Sequence, residues 1–267
     1  MRDSGLADSL SLAWMLAKRD LKNRYASSYA GVAWNVGVPL LYALINAVVF
    51  SILMSGRMGP RYGDVPFPLF YFVPFSLFGF FSEVVLRSTF ILKDYAYLIN
   101  KIAFPFWVLP LVPIASALLS QGIMLAIIGV LMIQNGISPA HTALLYVPIW
   151  LIAVMLTLGT AYAVSAVAVY VRDLAQIVPV IVTIIFWLTP ILYPPALVEA
   201  KGALWVRNVI MNYNPFYYLV EMSRQAVFGT APIARATMVN MGLLSMIAFT
   251  LGFGLFRKLK SGFADVL

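Results

Sequence analysis

The chain has no cysteine and a single histidine. Neither a disulfide nor a thiol-ligated metal is open to it. His141 lies on a short stretch between apolar runs and has no companion ligand, which argues against a metal site. Charge is scarce too. Charged residues make up 10% of the 267, against roughly 25% in a soluble domain that presents a hydrated surface. The ten carboxylates place no pair inside an apolar run where a general acid and base could converge. The signatures GxSxG, HExxH and GxxxxGK followed by Ser or Thr do not occur. Nothing therefore nominates catalytic, cofactor-binding or nucleotide-binding machinery. The basic residues form no stripe interleaved with aromatics, which leaves nucleic-acid binding without a footprint. The first residues, with Arg2, Asp3 and Asp8, lack the compact apolar core of a signal peptide. The first spanning segment is expected to act as its own insertion signal.

What the chain does have is apolar length. Hydrophobic residues make up 62% and the mean hydropathy is +0.91. Apolar stretches run over residues 33–54, 67–86, 104–133, 144–171, 177–193 and 237–256, and about 20 helical residues span a bilayer. The expected fold class is an all-α integral membrane protein with six transmembrane helices, in one membrane unit over 1–267. The third and fourth stretches are long enough to tilt, kink or project. The fifth is short and ends in Pro190, Pro194 and Pro195.

Charge asymmetry sets the expected orientation. With the N-terminus inside, the cytoplasmic side holds Arg2, Lys18, Arg19, Lys22, Arg24, Arg87, Lys93, Lys101, Arg172, Arg257, Lys258 and Lys260. The outer side holds Arg57, Arg61, Lys201, Arg207, Arg224 and Arg235. Basic residues in short flanking loops are retained in the cytoplasm, so both termini are placed there. The net charge of +8 is then chiefly a topology signal.

Three non-spanning segments carry further information. In the first, Leu6, Leu10, Ala13, Trp14, Ala17 and Leu21 recur at helical spacing, with Lys18, Arg19 and Lys22 on the other side. This is an amphipathic helix for the inner leaflet, a plain anchor or something more. In residues 87–103, Ile91, Tyr95, Leu98 and Ile102 form one face, and Lys93, Asp94, Tyr97 and Lys101 another. Such a helix is either a grip for a soluble partner or a solvated connection. Residues 194–235 are too rich in aromatics for a solvated loop. They are expected to form outer-side helices dipping into the membrane and broken at Asn214-Pro215, backbone of a kind tolerated only against protein or a wet cavity.

Glu83 and Arg87 stand four apart, at ion-pair spacing. Phe67, Tyr71, Phe75 and Phe78 share a face in a stretch crowded with aromatics. Aromatic faces stack on the C–H faces of sugars, and they also serve ordinary helix packing and interface belts. The residues alone leave both readings open.

The order of four stretches carries a resemblance. The N-terminal RDLKNRYASSYAGVAWNVGVPL presents Arg19-Asp20, Arg24-Tyr25, Ser28, Gly31, Trp34 and Pro39. LINKIAFPFWVLPL presents Leu98, Ile99, Lys101, Phe104, Pro105 and Pro110. VRDLAQIVPVIVTIIFWLTPILYP presents Arg172-Asp173, Pro190, Tyr193 and Pro194. NPFYYLVEMSRQAVFG presents Asn214, Pro215, Arg224 and Gly229. Each is loose alone, and together they resemble the transmembrane subunit of ABC-2-type exporters of bacterial polysaccharides, the group that moves O-antigen, capsule and teichoic acid. Thr189 stands where many relatives carry serine, and the hydroxyl is kept.

The resemblance implies a homodimer in the bacterial plasma membrane that recruits two copies of a separate ATPase, which binds the ATP and Mg. It implies an interface helix within residues 1–32 carrying Trp14, Lys18, Arg19, Lys22 and Arg24. Residues 33–256 would then be the membrane region and 257–267 a cytoplasmic tail. The implied coupling helix over 87–103 carries Lys93, Asp94, Tyr97, Asn100 and Lys101, with a second contact at Arg172 and Asp173. Tyr193, Asn214, Pro215, Tyr217 and Arg224 fall in the implied outer gate over 194–235, and Phe67, Tyr71, Phe75 and Phe78 in the implied channel. A lipid-linked polysaccharide is the implied cargo, most readily O-antigen. An ABC-2 transporter of a drug or simple lipid shares the architecture. An envelope assembly factor is the rival from outside transport.

Overall fold

The computed structural model describes residues 6–24, 33–53, 61–62, 65–99 and 105–266. The elements in chain order are α1 (Leu6–Arg24), α2 (Ala33–Leu53), α3 (Phe67–Ser88), α4 (Ile91–Asp94), α5 (Ala96–Ile99), α6 (Leu111–Gln134) and α7 (Tyr146–Tyr170). They continue with α8 (Leu174–Leu188), α9 (Pro195–Lys201), α10 (Leu204–Arg207), α11 (Pro215–Phe228), α12 (Arg235–Leu259) and α13 (Phe263–Val266). Among the described residues there is no strand. Among the described residues, four helical stretches are long and apolar enough to cross a bilayer: Phe67–Ser88, Phe106–Gln134, Ala143–Tyr170 and Arg235–Gly262. α2 is a helix of 21 residues, and α8 is shorter, at Leu174–Leu188. At 1.5 Å per residue, 15 residues of α8 reach only about 22 Å of a roughly 30 Å core.

The proline positions explain that shortness. Pro190 has no N–H to continue the ladder, and the residue before a proline is pushed out of the helical region. Thr189 duly sits at φ −96° and ψ 131°, and α8 ends at Leu188.

α3 is the centre of the bundle. Leu69, Phe70, Tyr71, Phe72, Val73, Leu77, Val84 and Val85 on it are buried on successive faces, because α2, α6, α7, α8 and α11 all pack around it. α7 and α12 instead pair backbone to backbone. A Cβ at Gly252 would run into the carbonyl of Gly159, and a Cβ at Gly159 would stand 2.5 Å from the Ala248 carbonyl carbon. In lipid, where apolar burial gives helices little reason to associate, such close approach by small residues supplies the packing contact.

Two sequence expectations change. In α1 the buried face is Ala13, Leu16, Ala17 and Asp20, while Trp14 is 43% exposed. The face is rotated relative to the hydrophobic periodicity because Asp20 has a buried partner. The amphipathic helix expected over 87–103 is broken: α3 runs through Ser88, and two single turns follow, α4 and α5, separated by a turn at Tyr95. Asn100, Lys101 and Ile102 lie outside the described residues.

The α7–α12 crossing makes a stability prediction. Gly252→Val should cost about 1–3 kcal/mol by overpacking, lowering the melting temperature in detergent by several degrees. Gly254→Ala, with open space around its Cβ position, should leave it level or slightly raised.

Candidate functional site

Three regions concentrate polar groups in this apolar chain. The first lies where α1 meets the end of α3. Arg87 donates through Nη2 to Asp20 at 2.5 Å and through Nη1 to Asp94 at 2.6 Å. The Asp20 side chain is 5% exposed and that of Asp94 46%. The guanidinium therefore holds a buried acid on α1 and a solvated one on α4 at once. Tyr95 donates to the Leu16 carbonyl at 3.4 Å, and Arg19 lies over the Tyr97 ring at 5.8 Å. Burial, and then the Asp20 charge, push the Tyr95 phenol up to about 12, so it stays a donor through the neutral range. Ile91, Leu92 and Tyr95 share a core with Leu16, Val169 and Phe263.

The predicted interface residue Arg19 and the predicted coupling residues Asp94 and Tyr97 thus meet at one joint, with Lys18 and Lys93 elsewhere on α1 and α4. Lys18 lies over Trp14 at 5.5 Å. Lys22 and Arg24 lie within the α1 helix. Arg172 and Asp173 are exposed in the turn just past Val169, at the same end of α7. Sequence spacing suggested Glu83 as the partner of Arg87. The bonds instead go to Asp20, 67 residues away, and to Asp94.

The second region is a cavity of about 860 Å³, within the roughly 300–1,000 Å³ range of ligand pockets. α2, α3, α6 and α8 line it. Of the predicted aromatic face, Tyr71, Phe75 and Phe78 reach the wall, while Phe67 does not. Phe67 stacks on Phe50 and Tyr71 in the core instead. Tyr71 stacks on Phe75 with centroids 5.0 Å apart, and Phe75 and Phe78 meet Phe186 of α8. Ser76 donates to the Val73 carbonyl at 2.7 Å. Its single proton being used there, the 2.5 Å contact with the Tyr146 hydroxyl has tyrosine as donor.

The third region is a knot between α8, α11 and α3. The break at Thr189 and Pro190 leaves carbonyls without helical partners, and Arg224 meets them. Its side chain is fully buried. It donates to Pro190 O and Ile191 O, each at 2.8 Å, to Phe70 O at 3.2 Å and to Glu221 at 3.0 Å. Its guanidinium also lies 3.5 Å from the Phe70 ring centroid. Tyr62 donates to Glu221 at 2.7 Å, and Arg61 stands 3.7 Å from that carboxylate. Burial first, and then the Glu221 charge, push the Tyr62 phenol upward, which fixes it as a donor.

Asn214 caps α11 by accepting from Phe216 N–H at 3.0 Å and donates to the Thr189 hydroxyl at 2.9 Å. Pro215 occupies the first helical position, where its missing N–H is no loss. Tyr193 donates to the Trp187 carbonyl at 3.2 Å. Tyr217 is half-buried and packs edge-on to Tyr218.

The predicted outer residues Tyr193, Asn214, Pro215, Tyr217 and Arg224 are thus neighbours, fastened round the α8 break. Sequence reasoning missed Tyr62, Glu221, Gln121 and Tyr146, and gave Asp20 a place in a motif but no partner. The i, i+3 spacing of Glu221 and Arg224 was the available signal for one of them.

This architecture defines a multi-pass, all-helical membrane protein whose features are a cavity, a charged joint and a buried knot. The chain belongs to the ABC-2 type transporter family, whose profile matches residues 11–228. It is 28% identical over 251 residues to the O-antigen export system permease protein RfbA of Myxococcus xanthus, covering 94% of this chain and 93% of that one. The protein of that name from Klebsiella pneumoniae is 27% identical over 254 residues, with coverage of 95% and 93%. The polysialic acid transport protein KpsM of Escherichia coli is 22% identical over 247 residues, covering 90% of each chain.

Substitutions in the knot and in the joint test these networks. Arg224→Met should destabilise by about 3–5 kcal/mol, since it removes the buried cation beside Glu221 and leaves the Pro190 and Ile191 carbonyls unmet. Adding Glu221→Met should recover part of that loss in thermal unfolding. In the joint, Asp94→Asn should cost no more than about 1 kcal/mol, as for exposed pairs, and Asp20→Asn clearly more.

Proposed function

We propose that this chain is the channel-forming subunit of an ATP-driven exporter of a lipid-linked polysaccharide, most readily O-antigen, in the bacterial plasma membrane. The observation that carries the proposal is similarity over nine-tenths or more of the chain to permeases named for polysaccharide export. In this reading α2 and α8 complete six spans. Two protomers pair through the apolar faces these helices leave exposed, such as Leu44 and Val48 on α2 and Val180 and Ile184 on α8. The cavity then opens on the dimer axis.

Both termini lie in the cytoplasm, on the side richer in arginine and lysine. The count sharpens once Arg224 is assigned to a buried network rather than to a loop. Two copies of a separate ATPase bind ATP and Mg. They seat on α1, with Trp14, Lys18, Arg19, Lys22 and Arg24, and on the coupling segment with Lys93, Asp94, Tyr97, Asn100 and Lys101, beside Arg172 and Asp173. ATP binding favours one arrangement of the ATPases over the other, the only way a ligand moves a two-state equilibrium. The Asp20–Arg87–Asp94 joint passes that difference into α3. The knot round Tyr193, Asn214, Pro215, Tyr217 and Arg224 forms the outer gate. An exporter of a drug or simple lipid is the competing reading. The hydroxyl and amide groups of the cavity favour a sugar.

Co-purification with the cognate ATPase is the direct test. Wild type should form a stable complex. Tyr97→Ala with Lys101→Ala should keep the fold and lose at least about tenfold of export, equivalent to ~1.4 kcal/mol of coupling. A well-folded chain that recruits no ATPase would sink the proposal. The cysteine-free background gives a second test: Lys201→Cys should react with a membrane-impermeant maleimide on intact cells, and Lys93→Cys only after permeabilisation.

A further inference from the structure

We propose that Tyr170, Gly262 and Phe263 form a clamp that ties the turn after α7 to α4, so that the two contacts assigned to the ATPase move as one body. The proposal rests on the export reading and names positioning residues for its coupling step.

α4 cannot hold itself in place. It is one turn of four residues, far below the length at which a helix is stable alone. Its position is therefore set by what Ile91 and Leu92 rest on. Both are buried, in a core shared with Leu16 of α1, Val169 of α7, Phe256 of α12 and Phe263 of α13. Phe263 has no exposure at all, although it lies in the stretch 257–267 expected to trail as a tail. Its ring meets Phe256 edge-on at 5.4 Å and Tyr170 at 6.2 Å.

Tyr170 carries the other half of the clamp. It is the last residue of α7, and at Val171 the backbone turns extended, with φ −110° and ψ 101°. Arg172 and Asp173 follow, exposed. The Tyr170 hydroxyl donates to the Leu259 carbonyl at 2.8 Å, one of the last carbonyls of α12, which have no partner inside their helix. A plain helix end could leave that carbonyl to water. Here a side chain at the start of the turn takes it. The 3₁₀ turn Lys260–Gly262 then brings the chain round to Phe263. A Cβ at Gly262 would stand 2.5 Å from the Tyr170 hydroxyl, so the glycine keeps room for the bond. Phe263 is thus in ring contact with the residue that begins one ATPase contact, and in the same core as the buried side chains of the other.

The test uses the chain co-purified with its ATPase in nanodiscs. The chain has no cysteine, so Phe90→Cys and Gln176→Cys, both at exposed positions beside the two contacts, take a pair of spin labels. Labelled chain is diluted with unlabelled chain, and the separation is measured by pulsed electron resonance. The parent pair should give one narrow distance distribution. Phe263→Ala should broaden it and lower surface polysaccharide on a complemented deletion strain about fivefold, while ATPase recruitment and hydrolysis persist. Phe263→Leu, which refills the site, should restore both. Gly262→Ala and Tyr170→Phe act on one contact, so the double variant should be no worse than the worse single one.

A distribution left narrow in both Phe263→Ala and Gly262→Ala overturns the proposal, even where the melting temperature falls, since a purely structural role would do only that. Broadening with export unchanged overturns it too. Should Phe263→Ala fail to assemble, Tyr170→Phe decides, because it removes one hydroxyl. A distribution and export equal to the parent's then overturn the clamp and leave the export reading standing. A chain that recruits no ATPase takes both down.

Discussion

The guanidinium of Arg224 is the constraint on which one end of this molecule depends. It has no solvent exposure, and a buried charge is tolerated only with complete pairing. The pairing is assembled from three elements. α11 gives Glu221, the α8 break gives the Pro190 and Ile191 carbonyls, and α3 gives the Phe70 carbonyl and ring. The proline that ends α8 creates unsatisfied acceptors, and the arginine satisfies them. Neither device is stable alone at membrane depth, where unpaired backbone has no water to turn to. Together they make a short span followed by a rigid turn.

The other end is built on a different balance. Arg87 shares its charge between Asp20, which is buried, and Asp94, which is solvated. The buried arm is costly to break and the exposed arm is not. The ion pair therefore fixes α1 to α3, while α4 is held chiefly by its buried Ile91 and Leu92. Between these two ends runs α3, with buried residues along its length, and it carries both Arg87 of the joint and Tyr71, Phe75 and Phe78 of the cavity wall. The cavity wall and the charged joint are two parts of the same element.

Much of this was legible in the residues. The apolar stretches, the break at Asn214-Pro215 and the family likeness follow from local rules of length, proline geometry and motif order, whereas the fifth stretch, expected over 177–193, ends as a helix at Leu188. The aromatic face of α3 was legible as a face, but what it faces was not. Phe67 shares the helical register of Phe75, yet it points into the core while Phe75 lines the cavity. The rotation of α1 was hidden too, because hydrophobic spacing cannot foresee that Asp20 is buried by an arginine 67 positions on.

The sequence by itself determined that this chain belongs in a bilayer, where its apolar stretches lie, where proline interrupts them and which family it joins. Those depend on apolar length, backbone sterics and residue order, all local properties. Tertiary structure alone decided which polar groups are paired. It took Arg87 away from Glu83 and gave it to Asp20 and Asp94, buried Arg224 among carbonyls, and put Gln121 and Tyr71 in a cavity wall. Pairing at membrane depth is a property of helices brought together, since each partner lies on a different one.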